Sequence, residues 1–329
     1  MKVTLIGGSG FVGSRLCQRF NGKSIFNFKI IDKVTSNLYP SKVSIADIRF
    51  PIDKAAVEDS SVLINLAAEH RDDVTPKSLY DETNIEGARN VCAVAREANI
   101  QTIIFTSSVA VYGFAPLGTS ESGKINPFND YGRTKWEADQ DYIVWQSEDP
   151  ENRTLVIIRP TVIFGERNRG NVFNLLRQIA SGKFLMVGNG LNRKSMAYVE
   201  NVAAFLEYSI SFKSGIHIYN YIDKPDFTMN QLVAHVNKLL GRSSEIKVRL
   251  PYWLGLVIGK TFDAAAFVLN KKFPISAIRV KKFCANSVYE SAIDKTGFIP
   301  PVGLLQAIEK TVKYEFVEDH KSEQVFYTE

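Results

Sequence analysis

Lys2-Val3-Thr4-Leu5-Ile6-Gly7-Gly8-Ser9-Gly10-Phe11-Val12-Gly13 decides how the chain is read. Five mostly apolar residues run into a glycine turn, and a helical pattern over residues 14–20 follows at once. Gly7 suits the tight turn, Gly10 the close approach of backbone to a pyrophosphate, and Gly13 the close packing of helix on strand. The amides exposed at such a helix start hold phosphates. A second apolar run, Phe28-Lys29-Ile30-Ile31, ends in Asp32, nineteen residues after Gly13. A carboxylate there bonds ribose hydroxyls and repels a 2′-phosphate, which favours NAD over NADP. Lys33 beside it softens that preference.

The alternation continues outward from this start. Residues 44–48 are expected as a third strand, carrying Asp47 and Ile48 toward the adenine. Val62-Leu63-Ile64-Asn65-Leu66-Ala67-Ala68 is apolar almost throughout, as a strand buried on both faces requires. Its small terminal residues let a dinucleotide cross the strand end. A helix over 83–98, which includes Asn84, precedes a strand over 102–105 that ends in Thr106-Ser107-Ser108. One hydroxyl of these three is placed to bond a substrate oxygen and a phenol. A sixth strand over 155–160 brings Pro160, and then Val162, to the same rim. Repeated strand–helix units give a doubly wound parallel sheet with ligands at the carboxyl ends of its strands.

Asn129-Asp130-Tyr131-Gly132-Arg133-Thr134-Lys135 precedes a helix-like run over 136–146, so Tyr131 and Lys135 fall one turn apart on one face. A free tyrosine, with a pKa of about 10, is a poor base near neutrality. A neighbouring ammonium favours the phenolate, and so does a bound cationic nicotinamide. The product is a general base able to take a hydroxyl proton while hydride leaves the same carbon.

With 329 residues, 45% of them hydrophobic and 23% charged, the chain suits one large folded unit or two unequal ones. A net charge of +5 without a long basic run gives no reason to expect nucleic acid as a partner. Cys17, Cys92 and Cys284 are widely spaced and read as reduced thiols of a cytoplasmic protein. The opening strand leaves no room for a signal peptide ahead of it. No His/Cys/Asp spacing suggests a metal.

Beyond Pro160 the rhythm loosens. Arg167, Arg169 and Asn171 precede a helix over 172–179, and two arginines at a helix start suit a diphosphate. A helix over 199–210 and a strand Gly215–Tyr221 are expected to return to the main sheet. His70, just past a strand end, is a site candidate, whereas His217 and His235 read as packing or surface residues. Residues 250–269 are apolar and aromatic, close to the roughly 20 residues of a bilayer span. Lys260 and Asp263 in the middle make a span costly, at about 2.5–3.5 kcal/mol each. With Lys271, Lys272, Arg279, Lys281 and Lys282 following, the stretch suits a membrane surface.

Taken in order, the glycine loop, Asp32, Asn65-Leu66-Ala67-Ala68, Ser108, Tyr131-x-x-x-Lys135 and Arg159-Pro160 resemble the extended short-chain dehydrogenase/reductase family over nearly the whole chain. The resemblance implies a Rossmann-type doubly wound sheet (residues 1–165, rejoined by 197–223) with a smaller, discontinuous C-terminal substrate domain (166–196 and 224–329). It implies Ser108, Tyr131 and Lys135 as the catalytic trio. It implies NAD held by Gly7, Gly10, Phe11, Val12, Gly13, Asp32, Lys33, Asp47, Ile48, Leu66, Ala67, Ala68, Asn84, Tyr131, Lys135, Pro160 and Val162. Lys194 stands where the family carries a substrate-phosphate arginine, and Tyr198 follows in the same segment. Residues 67–73, 158–172 and 279–285 are similar to bacterial 4-epimerases that act on N-acetylhexosamines linked to undecaprenyl diphosphate in O-antigen synthesis. That implies a lipid-linked substrate met by His70, Ser108, Arg167, Asn171, Lys194 and Tyr198, peripheral membrane contact, and a homodimer through 83–98 and 131–146. The competing expectations are a UDP-N-acetylglucosamine 4-epimerase and a net dehydrogenase of a lipid-like alcohol. A 4,6-dehydratase would place acidic residues after the strand-end hydroxyl, and Thr106-Ser107-Ser108-Val109-Ala110 has none. A nucleotide-sensing protein without catalysis would tend to lose the Tyr131/Lys135 pair.

Overall fold

The computed structural model describes residues 1–71, 74–246, 248–269, 276–320 and 323–328. Asp72, Asp73, Lys271 and Lys272, singled out from the sequence, lie outside the described residues.

The first half alternates strand and helix. β1 (Lys2–Ile6) leads to α1 (Phe11–Asn21), β2 (Asn27–Asp32), β3 (Val43–Ile45) and β4 (Val62–Asn65). A short α2 (Ser78–Tyr80) and a π-helical turn (Asp81–Glu86) run into α3 (Gly87–Glu97), followed by β5 (Thr102–Thr106), α4 (Asp130–Ser147) and β6 (Thr154–Pro160). The second half begins with β7 (Val162–Phe164), α5 (Asn171–Ala180), β8 (Met186–Val187), β9 (Arg193–Tyr198), α6 (Val199–Ser209) and β10 (Gly215–Tyr221). It ends with β11 (Asp223–Thr228), α7 (Met229–Leu239), β12 (Arg249–Leu250), α8 (Tyr252–Leu269), α9 (Ala277–Cys284) and α10 (Leu304–Phe316).

Seven strands form one parallel sheet in the order β10-β6-β5-β4-β1-β2-β3. The chain winds outward from β1 to β3, then returns across β1 to start β4. The crevice at that reversal is where doubly wound sheets bind ligands. The inner strands are apolar on both faces because helices cover both. Val3, Leu5, Phe28, Ile30, Ile104, Val156 and Ile158 meet α1 and α6. The residues between them, such as Ile6, Ile31, Ile103, Phe105 and Ile157, meet α3 and α4. This period-two division makes the strands read as continuous hydrophobic runs. β7, β9 and β11 form a separate three-stranded sheet, and β8 pairs with β12.

Several boundaries differ from the sequence reading for local reasons. The strand expected over 62–68 stops at Asn65, whose side chain takes the Ala67 amide (3.0 Å) and donates to the Tyr142 hydroxyl (2.7 Å). The third strand is Val43–Ile45, since Ala46 donates its amide to Asp32 and the chain then turns away. The helix expected over 136–146 starts at Asp130, capped by the Asn129 side chain on Gly132 N (3.0 Å), so Tyr131 and Lys135 sit inside its first two turns.

The glycine loop is packed to its limit. A Cβ on Gly13 would lie 2.5 Å from Gly8 Cα, whereas one on Gly10 meets only Gly7 O at 3.3 Å. Gly13→Ala should therefore cost about 1–3 kcal/mol of stability, the usual range for overpacking. Gly10→Ala should leave the urea midpoint near that of the parent. Equal midpoints for the two variants would contradict this packing.

Candidate active site

A cavity of about 560 Å³ opens along the carboxyl ends of the main sheet. Gly7, Gly10, Phe11, Val12 and Gly13 form one wall, Asp32, Lys33, Asp47 and Ile48 one end, and Leu66, Ala67 and Ala68 the middle. Pro160 and Val162 close it from the far side of the sheet. Gly7 is required by its turn (φ +78°), and a Cβ there would fall 2.6 Å from Ala67 N. Helix α1 begins after Gly10 with no side-chain cap, which leaves its first amides for a ligand. Asp32 accepts hydrogen bonds from Ser9 N (3.0 Å) and Val34 N (3.2 Å), while burial pushes its carboxyl pKa up. Asp47 is paired with Arg49 (2.7 Å), whose hydrogen bonds hold its carboxyl low.

At the other end of the cavity stand Ser108, Tyr131 and Lys135. The structure separates the three candidate hydroxyls. Ser108 lines the cavity beside Tyr131, whose pKa it lowers, and its hydroxyl accepts from Ala110 N (3.1 Å). The Thr106 and Ser107 hydroxyls are buried, Ser107 against Asp139. Burial pushes the Tyr131 pKa up, and only Ser108 opposes this. Lys135, 1% exposed, is depressed to about 7 by burial, with the Asp139 charge opposing the shift. Its ammonium lies over the Phe105 ring at 4.2 Å. The expected help to the phenolate comes from the lysine together with a bound cationic nicotinamide, and the protein alone holds only the first. In the protein alone, burial outweighs the lysine, which is itself only partly charged near neutrality.

Asp139 lies one turn beyond Lys135 and is fully buried. Arg159 of β6 donates to it through Nη2 (2.9 Å) and Nε (3.1 Å), and to Tyr112 Oη (2.8 Å). Tyr112 in turn donates to Asn220 of β10 (2.9 Å). This network ties the helix bearing Tyr131 and Lys135 to the two strands at one edge of the sheet.

The remaining expected residues divide. His70 and Asn171 line the cavity. Asn84, Arg167, Lys194 and Tyr198 do not. Asn84 is buried behind the wall, bonding Glu69 and Thr134. Arg167 donates from Nε to Gln324 O (2.7 Å) and lies over Phe326, while Arg169 pairs with Glu315 (2.8 Å). The two arginines that suited a diphosphate are thus spent on the C-terminal tail and on α10. Lys194 donates to the carbonyls of Lys282 and Ala285 at the end of α9. Tyr198 donates to Glu166 within the core. The sequence reading missed Asn168, Tyr289 and Thr328, which complete the cavity. Thr328 Oγ1 donates to Asn168 Oδ1 (2.6 Å), and the Phe326 backbone pairs with Arg167 and Arg169. No local pattern marks residues 323–328 as a segment that reaches a cavity wall. The one available signal was Gly165 to Gly170, a polar loop too rich in arginine and asparagine for an ordinary turn.

Comparison with known proteins follows from this geometry. Residues 3–220 match the model of the NAD dependent epimerase/dehydratase family. The chain belongs to that family. It is 46% identical over 331 residues, 99% of both chains, to N-acetyl-alpha-D-glucosaminyl-diphospho-ditrans,octacis-undecaprenol 4-epimerase of Escherichia coli O157:H7. It is 26% identical to UDP-glucose 4-epimerase of Vibrio cholerae, covering 81% of this chain and 84% of that one. Its fold is that of UDP-glucuronic acid 4-epimerase from Bacillus cereus, solved with NAD, with a TM-score of 0.73 at 20% identity over 95% and 98% of the two chains. The family's dinucleotide fits this cavity, because the glycine wall admits only backbone and Asp32 waits at the second strand end.

The depressed Lys135 makes a prediction about pH. Between about 7 and the free-lysine value of about 10.4 the unfolded chain holds a proton that the folded, NAD-free chain lacks. Stability therefore gains a rising component across that window, and Lys135→Met should flatten the rise. Asp139→Asn removes the attraction opposing burial, so the Lys135 amine should titrate lower still. An NMR titration of labelled lysine reads the midpoint, and one unmoved by Asp139→Asn would remove that electrostatic link.

Proposed function

We propose that the chain is an NAD-dependent 4-epimerase that inverts C4 of N-acetylglucosamine and N-acetylgalactosamine carried on undecaprenyl diphosphate. The observation that carries this reading is the convergence of Ser108, Tyr131 and Lys135 at one end of the cavity whose other end is the glycine loop and Asp32. End-to-end likeness to an enzyme of that activity supports the choice of substrate.

The backbone around Gly7, Gly10 and Gly13 and the carboxylate of Asp32 would hold the dinucleotide. When bound, NAD supplies a hydride acceptor facing C4 that gives the same hydride back. Tyr131, as phenolate, removes the C4 hydroxyl proton while C4 loses hydride, leaving a 4-keto sugar. Ser108, beside the phenol in the same cavity, donates to the C4 oxygen and holds it in line. Lys135 brings positive charge beside the phenolate, and its depressed pKa lets it exchange a proton near neutrality. The ketone turns about its diphosphate linkage, and Tyr131 returns the proton when hydride arrives on the opposite face. Atoms and electrons balance without an external oxidant.

Membrane contact and assembly belong to the same reading. No helix among the described residues is long and apolar enough to cross a membrane. Helix α8 presents Tyr252, Trp253 and Val257 to solvent, a face suited to the bilayer surface. A second copy packs on α3 and α4, which lie side by side through Arg89–Asp141 and Arg96–Glu148 and leave Val144 exposed. A monomeric mass by sedimentation would remove that last element.

Two measurements test the chemistry. Purified protein incubated with the lipid-linked and the UDP-linked N-acetylhexosamine should interconvert gluco and galacto forms chiefly on the lipid carrier, with no net NADH. Tyr131→Phe should lose about 10²–10⁴ in turnover, the share of a general base, while retaining NAD. Net NADH formation would instead favour a dehydrogenase.

A further inference from the structure

A second cavity, an open groove of about 930 Å³, lies between β8, β12, α8 and α9. Phe114, Val187, Pro251, Tyr252 and Ile278 give it apolar walls, and Lys281 stands among them. Its volume is within the range of small-molecule sites. Phe114 (64% exposed), Tyr252 and Ile278 spend their apolar surface on this groove and on water. Phe114 packs edge-on against Phe128 (4.5 Å), over which the Lys282 ammonium sits at 5.6 Å. The described segment 276–285 carries Arg279, Lys281 and Lys282 and no carboxylate. The groove thus combines branched and aromatic walls with a cationic rim.

Two stretches of backbone join it to the catalytic cavity. Ala110 lines the cavity and Phe114 the groove; Tyr289 lines the cavity and Ala285 the groove. Each step is four residues, at most about 14 Å of extended chain. A sugar held at Tyr131 with its diphosphate pointing along these segments delivers whatever follows the diphosphate to the groove.

We infer that this groove is the subsite for the isoprenoid diphosphate of the substrate, its apolar walls taking the first isoprene units and Lys281 facing the phosphates. The inference rests on the lipid-linked substrate of the preceding reading. An amphiphile with an anionic head and a branched tail matches this charge and shape, whereas the uridine of a nucleotide sugar would leave the apolar walls unfilled. The groove borders the outward face of α8. Tyr252 belongs to both, and Trp253 and Val257, exposed, do not line the groove, so a lipid tail leaving it continues beside a surface suited to the bilayer.

Farnesyl diphosphate is the probe, titrated into the full chain with saturating NAD so that the dinucleotide site is filled. Binding should be saturable and fall about tenfold in Ile278→Asp and in Phe114→Ser, the loss expected when one buried apolar side chain no longer contributes. Both positions are exposed, so both variants should fold. In turnover, the preference for N-acetylglucosaminyl diphosphate on a farnesyl chain over the same sugar diphosphate on a methyl group should drop by a similar factor through KM, with kcat held. Unchanged farnesyl diphosphate binding in both variants would overturn the subsite. So would parallel changes for the farnesyl and methyl substrates, or loss of vesicle binding with the farnesyl preference intact, which would assign the groove to the bilayer instead. Groove-dependent binding of farnesyl diphosphate without epimerisation would keep the subsite and defeat only the 4-epimerase reading.

Discussion

A lysine buried to 1% exposure is the condition on which the site depends. An ammonium removed from water either loses its proton or finds negative charge, and Lys135 sits between these outcomes at about 7. Its nearest compensation is Asp139, one turn along the same helix. That carboxylate already belongs to Arg159, so it can steady the lysine without neutralising it. A free Asp139 would form a tight pair with Lys135 and take the charge away from the phenol. The buried pair Asp139–Arg159 is costly to desolvate, and apolar residues of like volume would serve stability as well. Its place directly behind Lys135 explains its presence better than stability does.

The same network settles where the helix can lie. Arg159 ends β6, Tyr112 follows the β5 hydroxyls, and Asn220 is on β10. Three separate segments thus fix α4 against the sheet rim through directional bonds, which hydrophobic contact between α4 and the sheet would leave free to slide. That matters because Tyr131 and Ser108 come from different elements. The two line one cavity together only if helix and strand end keep register.

Much of this was legible in the sequence, and the boundary of legibility is physical. The sheet was readable because parallel strands covered on both faces become unbroken apolar runs. The cofactor wall was readable because backbone-to-phosphate contact demands glycine at fixed spacing. Gly215–Tyr221 was found as a strand and joins the main sheet beside β6. The apolar pattern of α4 begins at Trp136, but the Tyr131 and Lys135 spacing placed both on one helical face, and the helix start at Asp130 agrees with that. Arg167 and Arg169 misled for a related reason. Charge near a helix start suits an anion, but whether a carboxylate such as Glu315 arrives first is decided by chain remote in sequence.

The tail residues show the same limit from the other side. Thr328 reaches the cavity because Phe326 is held on three sides: its backbone by Arg167 and Arg169, its ring by Phe11, and its face by the Arg167 guanidinium. Arg167 adopts φ +73°, an uncommon conformation for a residue with a Cβ, and in doing so turns both its amide and its side chain toward the tail and α10. The arginines that failed as phosphate ligands therefore carry a wall of the site into place. They also leave no guanidinium among the cavity-lining residues, whose cations are Lys33 and Lys135. The charge of this loop thus serves the architecture of the cavity, through Gln324 and Phe326 of the tail and Glu315 of α10.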